Sequence, residues 1–171
     1  PVPEGVPLVA HADIVVVRVL GRGGFGEVQL VSVRGALRAA ERAERGLMME
    51  LLALARAAFH DNVVQVRGVC VEPGHELLLM EHAERGSVHD VLRDDPSVPL
   101  WRRFGLLRDA ERALRHLHTF RPGKPIVHRD IKGANLLLSE QDAKFKLIDF
   151  GVACHLPSKT NYREDLQPHD P

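Results

Sequence analysis

His128-Arg129-Asp130-Ile131-Lys132-Gly133-Ala134-Asn135, with Asp149-Phe150-Gly151 fourteen positions after it, is the stretch on which the reading of this chain turns. Apolar runs bracket both segments. Ile126 to Leu138 and Phe145 to Phe150 read as short apolar strands around loops, so the charged and amide side chains are held between buried elements. Outward from there, Trp101 to His118 carries Trp101, Phe104, Leu107, Leu114 and Leu117 at helical spacing.

Further upstream the pattern changes to strands. Asp13 to Leu20 is dense in Ile and Val, and Glu27 to Val33 alternates, so the two predict a hairpin around Gly21-Arg22-Gly23-Gly24-Phe25-Gly26. Ala36 to Ala58 is rich in Ala, Leu, Glu and Arg with no Pro, which predicts a helix. Val63 to Val71 and His75 to Glu81 predict two more strands joined by a turn at Glu72-Pro73-Gly74. Ser87 to Leu92 predicts a short helix, Pro1 to Pro7 an extended lead-in, and the polar stretch from His155 onward no regular element. Strands at the front and a long helix behind make an α+β protein with two lobes.

Bulk composition narrows the field without naming a function. The 171 residues are 44% hydrophobic and 27% charged, as in a globular protein, and the formal net charge is zero. No global field therefore draws the chain to nucleic acid or to an anionic membrane. The longest apolar runs, such as Ile14 to Val17, are too short to span a bilayer, and Pro1 opens no signal-peptide pattern. Cys70 and Cys154 cannot build a disulfide framework, which points to a reducing compartment. His116, His118, His128 and His155 lack paired ligand spacing, so a zinc site is not expected. All five lysines lie at or after Lys124, while arginines run throughout.

Gly21, Gly23 and Gly26 match G-x-G-x-x-G, a pattern shared by dinucleotide sites and by phosphate-covering hairpins. A dinucleotide site needs a helix directly after the glycines, whose N-terminus faces the pyrophosphate. Here Glu27-Val28-Gln29-Leu30-Val31 alternates like a strand, which favours the hairpin.

Taken with H-R-D-x-x-x-x-N over 128–135 and the later Asp149-Phe150-Gly151, the glycine hairpin makes residues 14 to 155 resemble the protein kinases. The resemblance implies a protein-kinase-like two-lobed α+β fold. Residues 1–12 would be a lead-in, 13–83 the N-lobe and 84–171 part of the C-lobe, ending within the activation segment. It implies ATP and Mg2+ as cofactors and a protein bearing Ser or Thr hydroxyls as substrate. Asp130 would orient the attacking hydroxyl, and Asn135 and Asp149 would hold magnesium, a hard cation that prefers such oxygens. Lys132, two residues after Asp130, resembles the serine/threonine class, and 130–137 is most similar to the mitogen-activated kinase-kinase-kinase and tyrosine-kinase-like groups.

Other positions follow by the same resemblance. Gly21, Gly23, Gly24, Phe25 and Gly26 would cover the phosphates. Leu20, Val28 and Leu137 would enclose adenine, Glu81-His82-Ala83 would be the hinge, and Met80 the gatekeeper. Gly86-Ser87-Val88 resembles the start of the helix after the hinge, and His60-Asp61-Asn62-Val63-Val64 the segment after helix C. Arg129 is similar to the residue that pairs with an activation-loop phosphate, for which Ser158, Thr160 and Tyr162 are placed.

Two features depart from the family. The third strand of a kinase carries a lysine that contacts the α- and β-phosphates and pairs with a helix C glutamate, yet no lysine precedes Lys124. Arg38, in Gly35-Ala36-Leu37-Arg38, is the nearest equivalent and Glu50 the expected partner; the alternative is a surface arginine. The interval from Val28 to Glu50 is also shorter than usual. No A-P-E follows Gly151. These departures keep two functions open: a cytoplasmic serine/threonine kinase segment, or a regulatory kinase-like module without catalysis.

Overall fold

The computed structural model describes residues 2, 4–23, 26–42, 59–120, 125–139 and 144–155. After a 3-10 turn at His11–Asp13, strand β1 (Ile14–Gly23) pairs with β2 (Gly26–Val33), the expected glycine hairpin. Then β3 (Ala36–Arg42), β4 (Val66–Cys70) and β5 (Leu77–Met80) complete an antiparallel sheet in the order β1-β2-β3-β5-β4. Helix α1 (Val88–Asp94) and helix α2 (Leu100–Thr119) follow. The short strands β6 (Ile126–Val127), β7 (Leu136–Leu138), β8 (Phe145–Leu147) and β9 (Cys154–His155) form two small ribbons, β6 with β9 and β7 with β8.

The expected helix over Ala36 to Ala58 is corrected at its start: Ala36–Arg42 is a strand, and the rest of that span lies outside the described residues. Ala-Leu-Arg-Ala-Ala-Glu-Arg has helix-forming composition, but its neighbours override it. Arg34 (φ 49°) and Gly35 (φ 83°) are both left-handed between the paired residues Val33 and Ala36, which is the two-residue turn that hairpins select. Arg34 is held there by an ion pair to Asp13 at 2.8 Å. Once turned, β3 pairs with β2 on one side and β5 on the other, and Ala39 and Ala40 become buried. Sheet burial decides the conformation, not propensity. The polar end also holds an element the composition hides, since Cys154–His155 pairs with β6.

The lead-in is tied to the sheet edge. Val9 donates to the Val69 carbonyl and Val69 donates to the Pro7 carbonyl, each at 2.9 Å. Gly68 permits that approach: a Cβ there would sit 3.0 Å from the Pro7 oxygen and from a Val9 methyl. Below the sheet, one core gathers Val63, Leu117, Ile126, Phe145 and Leu147, each at most 1% exposed. Each such side chain is worth roughly 1.5–3 kcal/mol of burial. Ser87 caps α1, its Oγ accepting from Asp90 N at 3.1 Å and donating to the Asp90 carboxylate at 2.6 Å. Segment 62–64 is stitched to β8 by bonds from Leu147 N to the Asn62 carbonyl and from Val64 N to the Leu147 carbonyl. The sheet, α1 and the β7–β8 ribbon therefore enclose one cleft.

Candidate active site

The loop between β6 and β7 is organised around a buried histidine. His128 is 1% exposed, and its Nδ1 accepts from Asp130 N at 3.3 Å while Nε2 lies 2.9 Å from the Ile148 carbonyl. That pair of contacts makes Nε2 the protonated nitrogen of a neutral ring. Burial in the first place holds the His128 pKa below its ordinary value. Phe150 packs edge-on against the ring with centroids 4.9 Å apart. His128 and Phe150 thus tie the 128–135 loop to the 148–150 segment.

On this frame Asp130, Lys132 and Asn135 converge. Lys132 Nζ donates to Asp130 Oδ2 at 2.7 Å, and Asn135 Nδ2 donates to the same oxygen and to the Asp130 carbonyl, both at 2.9 Å. The bond from Lys132, helped by Asn135, holds the Asp130 carboxyl below the usual carboxylate range, and Asp130 in turn raises the Lys132 pKa. Asp130 is therefore an ionised carboxylate held through Oδ2 by two donors, of which Asn135 is buried. A 3-10 turn at Gly133–Asn135, closed by Asn135 N on the Lys132 carbonyl, sets this geometry. Asp149 takes a left-handed φ of 65°, a sparsely allowed conformation for a non-glycine residue, and its carboxylate accepts from Gly151 N at 3.3 Å. Arg129 is also left-handed (φ 68°) and donates to the Val152 carbonyl.

The cleft has a volume of about 530 Å³. Leu20, Gly21, Val28, Met80, Glu81, Ala83, Leu137 and Asp149 all line it. Glu81 is anchored by Gln65 N at 3.0 Å, Arg67 at 3.2 Å and Lys146 at 3.4 Å. Gly23 and Gly26 pair at the hairpin tip, while Gly24, Phe25, Glu50, Ser158, Thr160 and Tyr162 lie outside the described residues.

Arg38 requires correction. It faces away from this cleft into a separate polar recess beside Arg67 and Lys146, and it donates to the Leu37 carbonyl at 2.7 Å. Alternation along β3 turns Ala39 and Glu41 into the cleft instead. Those two residues escaped the sequence reading, although Val33-Arg34-Gly35-Ala36 carries the turn signal that would have set the register. Burial, then the charge of Asp149, pushes the Glu41 carboxyl above its ordinary range.

A family model described as the protein kinase domain matches residues 14–167. The chain belongs to the protein kinase domain family. It is 36% identical over 149 residues to the L-type lectin-domain containing receptor kinase I.7 of Arabidopsis thaliana, covering 78% of this chain and 22% of that one. Similarity to mitogen-activated protein kinase kinase kinase 7 of Homo sapiens is 32% over 154 residues, covering 85% and 25%. The probable serine/threonine-protein kinase PBL5 of Arabidopsis thaliana is 38% identical over 152 residues, covering 81% and 35%. The chain thus spans between about a fifth and a third of the length of these kinases. Among the described residues, no helix is long and apolar enough to cross a membrane.

Tested against the cofactors this kinase family uses, the site divides. Asn135 and Asp149 present amide and carboxylate oxygens, the donors magnesium takes. The apolar walls from Leu20, Val28, Ala39 and Leu137 suit a flat heteroaromatic base. The β3 residues that face the cleft are Ala39 and Glu41, so this strand presents a carboxylate and no lysine to it.

Proposed function

We propose that this domain is a serine/threonine protein kinase catalytic segment that transfers the γ-phosphate of Mg-ATP to hydroxyl groups of a protein. The observation that carries the reading is the triad of contacts on Asp130. Its ionised carboxylate is aimed by Lys132 and Asn135, so it can accept a hydrogen bond from an entering Ser or Thr hydroxyl and receive its proton. Asn135 uses its amide nitrogen on Asp130, which turns its oxygen to the other side, and Asn135 with Asp149 would hold the metal. Bound magnesium supplies charge neutralisation for the phosphates. Lys132 is a point cation beside the attacking position. The two unpaired cysteines and the need for ATP agree with a cytoplasmic setting.

The test is phosphate transfer from γ-labelled Mg-ATP to casein, followed by identification of the labelled amino acid. Phosphoserine or phosphothreonine is expected, with a loss of about 10²–10⁴-fold in Asp130→Asn. Labelling equal in the chain and in Asp130→Asn overturns the reading.

One observation favours a second reading, a regulatory module that does not transfer phosphate. Glu41 occupies the cleft where a cation would help the phosphates. On that reading Asp130→Asn changes nothing in the transfer assay, and the cleft still binds adenosine.

A further inference from the structure

The cleft wall is one-sided in charge. Among the described residues that line it, Glu41, Glu81, Asp90 and Asp149 carry carboxylates and none carries a lysine or arginine side chain. Two of the four are neutralised from behind: Glu81 by Arg67 and Lys146, and Asp90 by Arg93 at 2.9 Å. Glu41 and Asp149 have no ion pair among the described residues, and both line the same cleft. The nearest cation of the catalytic loop, Lys132, is engaged with Asp130 at 2.7 Å. A metal-free triphosphate entering this wall meets two like charges at short range inside a partly desolvated cavity, where charge interactions are several times stronger than in water. The base-binding half is apolar and carries no such penalty.

We infer that Glu41 is a specificity residue that makes this cleft exclude phosphate unless a divalent metal accompanies it. The cleft then ranks its ligands as Mg-ATP and adenosine above metal-free ATP. Asp149 supplies one carboxylate that a metal neutralises. Glu41, on the opposite wall, supplies the repulsion that remains when no metal is present. The inference rests on the nucleotide reading above and deepens it, since it assigns the phosphate selectivity to one side chain.

The experiment is isothermal titration calorimetry of the chain, Glu41→Gln and Glu41→Lys with adenosine, with ATP in EDTA, and with Mg-ATP. The unmodified chain is expected to bind adenosine about tenfold more tightly than metal-free ATP. Glu41→Gln should remove most of that gap. Glu41→Lys should invert it, strengthening metal-free ATP by about a hundredfold while adenosine stays within about threefold. Raising the salt from 0.05 to 0.5 M should shrink the ATP differences and leave adenosine unmoved, a signature that a packing role for Glu41 would not produce. Glu41→Gln is nearly isosteric and reads the charge even if Glu41→Lys misfolds. Equal binding of adenosine and metal-free ATP by the unmodified chain overturns the inference alone, as does a ratio unchanged in both variants. Failure of adenosine to bind any of the three proteins overturns the nucleotide reading and the inference together.

Discussion

Two walls of one cleft are built by different physics. The lower wall, 128–135 with Asp149, is held by hydrogen bonds between residues two to twenty positions apart in sequence. The upper wall is a strand whose placement depends on partners 3 to 13 positions away in β2 and 35 to 41 positions away in β5, and its charged cleft-facing residue is Glu41. No described hydrogen bond or ion pair links Glu41 to Asp130, Lys132 or Asn135, and the one coupling between the walls is the charge of Asp149 acting on Glu41.

The sharpest way to break the comparison is to weaken one wall and watch the other. Phe145→Ala removes a fully buried ring from β8, which supports the lower wall, and should cost about 3–5 kcal/mol in denaturant unfolding. If the walls are separate in stability as well as in chemistry, the loss will appear as a split transition; a single cooperative transition would show that they fold as one.

Asn135→Ala should cost less, about 1 kcal/mol, because the half-buried Asp130 carbonyl and carboxylate both lose a donor but stay within reach of water. Its phosphotransfer should fall further than its stability, and a variant that loses stability but keeps transfer would contradict the role given to Asn135.

Acid should act on the lower wall in particular. His128 and His60 both have pKa values depressed first by burial, so each contributes stability that is complete above the ordinary histidine value of about 6.5 and is lost as pH falls through the depressed folded value. Melting temperatures measured from pH 7.5 to 5 should therefore decline. A flat profile would mean that folding lowers the pKa of neither ring.

The smallest effect belongs to the upper wall. Arg38→Gln should change stability by no more than about 0.5 kcal/mol and leave adenosine and ATP binding unaltered, since Arg38 points away from the cleft. A large loss of ATP affinity in this variant would restore Arg38 as a phosphate contact and overturn the register of β3.

Much of this molecule was legible before any coordinates. The hairpin at Gly21–Gly26, helix α2 and the loop residues Asp130, Lys132 and Asn135 follow from patterns whose interactions are local: strand alternation, helical spacing, and contacts between side chains within five residues. Ser87 announces α1 because its hydroxyl needs only the amide of Asp90, three residues on. The third strand was illegible for the opposite reason. Ala36–Arg42 reads as helix by composition, and only pairing on both sides makes it a strand.

Which side chain of that strand meets the ligand is a question of register, and register is a tertiary quantity. Val28 opposite Glu41 and Ala39 opposite Met80 turn Glu41 inward and Arg38 outward; a slip of one residue would exchange them. The amino-acid sequence by itself determined that this chain carries the H-R-D-x-x-x-x-N loop and the Asp-Phe-Gly segment of the protein kinases, since those residues lie close together along the chain. Only the folded sheet decided that a carboxylate, and not the guanidinium three residues before it, faces the cleft, because a period-two strand assigns faces solely through its neighbours.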